Sequence, residues 1–91
     1  MKKKPLNKSE DKCFEALYDT YENEYIMTFK NIADETKLSP IQVKRAVRSL
    51  VRMGLVKIDT AFNEDTGLIM GKGFILTYEA WRDKYNAEQH P

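Results

Sequence analysis

The sequence predicts an α+β domain with a three-helix core, a β-hairpin and a short C-terminal helix. Three observations predict it. Apolar residues recur at helical spacing in three runs before Gly54, and each run opens on a residue able to cap a helix. After Gly54 the period shortens toward alternation, and the apolar stretch breaks at "NEDTG" (63–67) and returns as "LIMGKGFIL" (68–76). The chain has 91 residues, room for one small domain.

Residues 1–8 hold four lysines and one leucine, too little to bury, and read as a disordered basic arm. The domain then spans 9–86, and 87–91 is a tail. The first helix is expected to start near Ser9, with Glu10 and Asp11 suiting its positive end. Phe14, Leu17, Tyr18 and Tyr21 form its apolar face by i, i+3, i+4, i+7 spacing. "YIM" (25–27) is a short strand or an extended linker. Thr28 caps a second helix over 29–36, with Met27 and Ile32 placed as a hydrophobic staple. "TKLS" (36–39) allows only a tight turn. The third helix has the fullest start signal: Ser39 as cap, Pro40 at N1, Gln42 closing an S-x-x-Q capping box, and Leu38 with Val43 as staple. Gly54 ends it. "LVKIDTAF" (55–62) is a half-buried strand that puts Val56 and Ile58 on one face. Gly71 and Gly73 leave the hairpin register open. Thr77 caps the last helix, where Tyr78, Trp81 and Tyr85 share a face.

This order of elements, and the residues at its joints, resemble the winged helix-turn-helix of small MarR-type and related prokaryotic or viral transcription regulators. The resemblance is carried by "MTFKNIADETKLSPIQVKRAVRSLVRMGLVKI" (27–58) and "GFILTYEAW" (73–81). It implies a winged helix in which 39–53 is the DNA-recognition helix and the hairpin is the wing. Two residues depart from the pattern. Lys37 stands where the turn usually has glycine, and the wing tip is Asn63-Glu64-Asp65 where a basic tip is common. Carboxylates repel phosphate.

Charge supports that reading. The formal net charge is only +1, but its distribution is polarised. Between Thr36 and Ile58 there is no acid, whereas Lys37, Lys44, Arg45, Arg48, Arg52 and Lys57 are basic; between Glu10 and Glu24 six acids face Lys12 alone. With ~100° per residue, Val43, Ala46, Val47 and Leu50 face inward on the third helix, and Ile41, Arg45, Arg48 and Arg52 form the opposite pole. A solvated helix face usually mixes signs, because opposite charges at i+4 stabilise it and like charges destabilise it. Arginine also grips phosphate or guanine with two hydrogen bonds.

The expected function is sequence-specific binding of double-stranded DNA by a small transcriptional regulator, helix 39–53 lying in the major groove. Ile41, Gln42, Arg45 and Arg48 are the candidates for base contact. Gln42 could pair with adenine, but its place in the capping box competes with that role. Lys37, Ser39, Lys44, Arg52, Lys57 and Lys72 are the candidates for phosphate. The alternative is a winged-helix protein-interaction module in a replication or transcription assembly, favoured by the acidic first helix and wing. Ile41 together with Val51 would then mark a protein contact. The terminal helices, with Tyr18, Tyr21, Trp81 and Tyr85, either close the core or form a homodimer interface.

Other classes find no support. No apolar run approaches the ~20 residues of a membrane span, and "MKKKPLNK" is no secretory signal. Cys13 is the single cysteine, so no internal disulfide forms and a reducing cytoplasm is the simplest location. His90 is the single histidine. There is no metal-ligand spacing, phosphate loop or catalytic triad, so no enzyme, metal, cofactor or small-molecule ligand is expected.

Overall fold

In a computed structural model, residues 5–62 and 65–89 are described. The order is α1 (Lys8–Tyr21), α2 (Phe29–Thr36), α3 (Pro40–Arg52), β1 (Val56–Phe62), β2 (Ile69–Leu76) and α4 (Tyr78–Gln89). Helices α1–α3 enclose one core of Cys13, Leu17, Ile32, Val43, Val47 and Leu50, closed from the hairpin side by Val56, Phe74 and Leu76. This is a three-helix core with a β-hairpin wing and a C-terminal helix, a winged helix-turn-helix.

Local capping sets the helix starts. At α2, Asn31 N–H donates to Thr28 Oγ1 at 3.1 Å and Thr28 N–H donates to Asn31 Oδ1 at 3.1 Å. At α1 the cap is Asn7 rather than Ser9: Glu10 N–H donates to Asn7 Oδ1 at 2.8 Å, and Asn7 N–H donates to Glu10 Oε1 at 2.9 Å. From Ser9, the third helical position would be Lys12, which has no acceptor to return the bond. Leu6 packs half-buried against the core, and Lys8 already belongs to α1. Residues 1–4 of the arm lie outside the described residues.

The hairpin pairs Val56 with Leu76 and Ile58 with Phe74, in antiparallel register, with an irregularity between Ala61 and Phe62. Gly71 has φ +112° beside that irregularity, a conformation open to glycine but strained for other residues. "YIM" forms no full strand. It contributes a single bridge, in which Met27 N–H donates to the Phe74 carbonyl at 3.1 Å and Phe74 N–H donates back at 2.8 Å. Ile58 does not share the burial of Val56: it is 53% exposed against 3%. Alternation puts both on one face, but at the level of Ile58 its register partner Phe74 fills the core, and β1 is the outer strand because Met27 bridges β2 on its other side. Helix α4 continues to Gln89, into the segment expected as a tail.

Candidate nucleic-acid interface

Helix α3 is set by its own ends. Gln42 N–H donates to Ser39 Oγ at 3.2 Å, and Ser39 N–H donates to Gln42 Oε1 at 3.0 Å, with Pro40 at the first turn. At the far end Gly54 takes φ +78°. Leu55 N–H then bonds the Leu50 carbonyl and Gly54 N–H the Val51 carbonyl, both at 3.0 Å, a Schellman closure. Val43, Ala46, Val47 and Leu50 are buried. With both ends and one face held, the opposite pole has a defined direction.

That pole carries Ile41, Arg45, Arg48 and Arg52, all exposed. Lys44 is exposed on its flank, with Nζ 5.9 Å from the centre of the Phe29 ring at the start of α2. None of the ion pairs found among the described residues involves α3; they join Lys84 to Glu15 and Glu88, and Arg82 to Asp83. Helix α3 thus presents three arginines in one row with no carboxylate among the described residues holding them. An anion with regularly spaced charges is the complement of such a row.

The turn before α3 adds Lys37, exposed and left-handed at φ 63°, ψ 20°. A lysine held there is strained by roughly 1 kcal/mol relative to glycine. Ser39 and Gln42 are exposed but occupied by the cap. Gln42 has its Oε1 committed to the Ser39 amide, so only its Nε2 is left to donate. Bidentate pairing with adenine needs both atoms.

The hairpin cations are placed differently. Lys57 lines a groove with Tyr21, Glu22, Glu24, Ile26 and Asp59, whose carboxylates repel phosphate. Lys72 is exposed and pairs in register with Thr60. At the tip, Asn63 and Glu64 lie outside the described residues, and Asp65 is exposed. Ile58, Leu68 and Ile69 on the hairpin are 53%, 67% and 69% exposed. An apolar wing surface was not anticipated, because "LIM" reads as a buried strand unless one knows how far the hairpin projects. Val51 is half-buried against the core, so it forms no exposed patch with Ile41.

A second groove, lined by Asn7, Ser9, Glu10, Gln42, Arg45 and Ala46, brings the start of α1 beside the leading end of α3. The Asn7-x-x-Glu10 spacing was the sequence signal for this start. On the far side, Trp81 stacks between Tyr21 and Tyr85, with ring centroids 5.1 and 5.0 Å away. Cys13 is buried, and burial pushes its thiol up to about 11. No group of three or more metal-ligating side chains is assembled among the described residues, and none of the described helices is long and apolar enough to cross a membrane.

Residues 20–57, which include α2, the turn and α3, match a protein family described as winged helix-turn-helix DNA-binding. No curated protein matches the sequence. Among solved structures, a mutant of Lactococcus lactis ZitR is 21% identical, with 99% of this chain and 56% of that one covered at a TM-score of 0.65. S. aureus MepR in complex with DNA is 17% identical over 90% of this chain and 63% of that one, at a TM-score of 0.63. A protein from Ralstonia eutropha JMP134 is 19% identical over 96% of this chain and 100% of that one, at a TM-score of 0.64. The chain thus spans under two thirds of the length of ZitR and MepR. At these identities the likeness is one of fold.

Proposed function

We propose that this chain, a winged helix-turn-helix domain, binds double-stranded DNA sequence-specifically as a small cytoplasmic transcription regulator, with α3 in the major groove. The observation that carries this reading is the exposed row of Arg45, Arg48 and Arg52, free of carboxylate partners among the described residues, on a helix whose other face and both ends are fixed. The likeness of fold to MepR, solved in complex with DNA, supports it.

In this reading Arg45, Arg48 and Ile41 meet base edges, since the leading half of a recognition helix reaches furthest into the groove. Arginine suits guanine, and Ile41 suits a thymine methyl. Gln42 donates a single hydrogen bond through Nε2. Lys37, Lys44 and Arg52 take phosphate, with Ser39 mainly organising the helix start. Lys72 is a weaker phosphate contact, and Lys57 contributes least because of its acidic groove. A homodimer, through the α1–α4 side, would present two such helices to two half-sites.

The test is a selection of bound sequences from random duplexes, followed by titration of the selected site. Arg45→Ala/Arg48→Ala is expected to lose on the order of a hundredfold or more in affinity while keeping its melting temperature. Equal binding by the variant would overturn the reading. One observation favours a second reading for the wing alone: exposed Ile58, Leu68 and Ile69 suit a protein surface better than phosphate. Ile69→Glu that spares DNA affinity but blocks self-association would support it.

A further inference from the structure

Among the described residues, strand β2 has a backbone partner on each side and strand β1 on one side alone. Phe74 uses both of its backbone groups on Met27: its N–H donates to the Met27 carbonyl at 2.8 Å, and its carbonyl accepts the Met27 N–H at 3.1 Å. Ile58 is the register partner of Phe74 on the other side. In an antiparallel ladder, directly opposed residues exchange both hydrogen bonds or neither. Ile58 and Phe74 are therefore a non-hydrogen-bonded pair, and the Ile58 N–H and C=O point away from β2, to the outer edge. Thr60, two residues on, points the same way, and its N–H donates to the side chain of its neighbour, Asp59 Oδ1, at 2.7 Å. Lys57, Ile58 and Asp59 are exposed. We propose that this edge pairs with the same edge of a second copy of the chain, antiparallel about a two-fold axis at Ile58. The contact uses other residues than the α1–α4 side and does not depend on DNA binding.

Charge selects both the occupant and the register. With Ile58 opposite Ile58, Lys57 of each copy stands opposite Asp59 of the other, in non-hydrogen-bonded pairs, where side chains come closest. Moving the axis one residue back sets Lys57 against Lys57; moving it one forward sets Asp59 against Asp59. Like charges directly opposed destabilise a strand pair. The edge is thus complementary to itself at Ile58 and repelled in the registers on either side. Within one copy Lys57 and Asp59 form no ion pair among the described residues. The groove beside them also holds Glu22 and Glu24, so an incoming lysine meets a surplus of carboxylate. On the opposite face the two Ile58 side chains, each 53% exposed in the single chain, cover one another. The backbone accounting also closes. The two Ile58 residues exchange N–H to C=O bonds, and Thr60 N–H passes from Asp59 to the Val56 carbonyl of the second copy. That leaves the Asp59 carboxylate to Lys57. A strand of another protein would find the same open backbone groups but not this symmetric pairing of charges.

The experiment is sedimentation equilibrium of the full chain at low salt, over a dilution series reaching ~1 mM. It compares the wild type with Lys57→Asp, with Asp59→Lys and with the swap Lys57→Asp/Asp59→Lys. The wild type should dimerise. Each single change sets like charges across the axis on both sides and should weaken the dimer roughly tenfold. The swap restores opposite charges and should restore the association, which also controls for folding. Amide hydrogen exchange at Ile58 should slow as the dimer fills. A wild type that stays monomeric overturns the proposal. So does a dimer that the single changes leave unaltered, the result expected of an interface on the α1–α4 side. A swap that fails to restore association, or an Ile58 amide whose exchange ignores concentration, overturns it as well. None of these results bears on α3, whose reading is tested by duplex binding.

Discussion

Helices α3 and α4 are of similar length and handle charge in opposite ways. Helix α3 buries four side chains and is tied at both ends. Helix α4 buries Ala80 alone and is held instead by contacts at its surface. Lys84 Nζ is 2.6 Å from Glu15 Oε1 and 5.1 Å from the Tyr18 ring centre, and Tyr18 OH donates to Glu88 Oε1 at 2.9 Å. Trp81 stacks across to α1. One helix gets its stability from apolar packing and leaves its cations open. The other has little to bury and uses its charges for attachment. Open cations on a well-packed helix are therefore informative about a partner, whereas the paired ones on α4 are explained by the fold.

The sharpest way to break this comparison is to attack the packing. Leu50→Ala should cost roughly 2–5 kcal/mol and lower the midpoint of thermal unfolding by about 10 °C or more. A loss no larger than that of a surface change would mean α3 is not the better-anchored helix. Next is Lys37→Gly, which should raise stability by up to ~1 kcal/mol by relieving the left-handed lysine. The same change should weaken DNA binding evenly across sequences and reduce the salt slope by ~0.9. Gain in stability with no change in slope would make Lys37 a turn residue only. Smaller still, Lys84→Ala should cost less than ~1 kcal/mol, as half-exposed ion pairs do, and leave DNA affinity unaltered.

Alkaline titration sharpens the same contrast. Burial raises the Cys13 thiol from its ordinary value to about 11, and the Glu15 carboxylate that Lys84 hydrogen-bonds holds this amine above 10.5. Both groups bind their protons more tightly in the folded state. Their contributions are complete below the ordinary values and fade as pH rises, from about 9 to about 11 for the thiol and above 10.5 for Lys84. Cys13→Ala should flatten the first part of the stability decline, and Lys84→Ala the last. A decline identical in both variants would place the alkaline transition elsewhere.

Most of the helix-turn-helix was legible because its determinants are local. Ser39, Pro40, Gln42 and Gly54 define the ends of α3 within a few residues of themselves, and Thr28 does so for α2. The α1 start was also local, but Asn7 with Glu10 outcompetes Ser9 because only that pair returns both hydrogen bonds. The wing was less legible. The exposure of Ile58 depends on β1 being the outer strand, and a Cβ at Gly73 would collide with Ile26, a contact made across the fold. The grouping of candidates was likewise beyond the sequence. Lys57 belongs to an acidic groove and Arg45 to a groove with the start of α1.

The sequence by itself determined the order of elements, the ends of α2 and α3, and the basic pole of Ile41, Arg45, Arg48 and Arg52. Those features follow from hydrogen bonds and helical periodicity within one or two turns of chain. Only the tertiary structure decided which cations stay open among the described residues, how α1 and α4 lock together, how much of the hairpin is buried, and that the start of α1 lies beside the leading end of α3. Each of these depends on contacts between residues far apart in sequence.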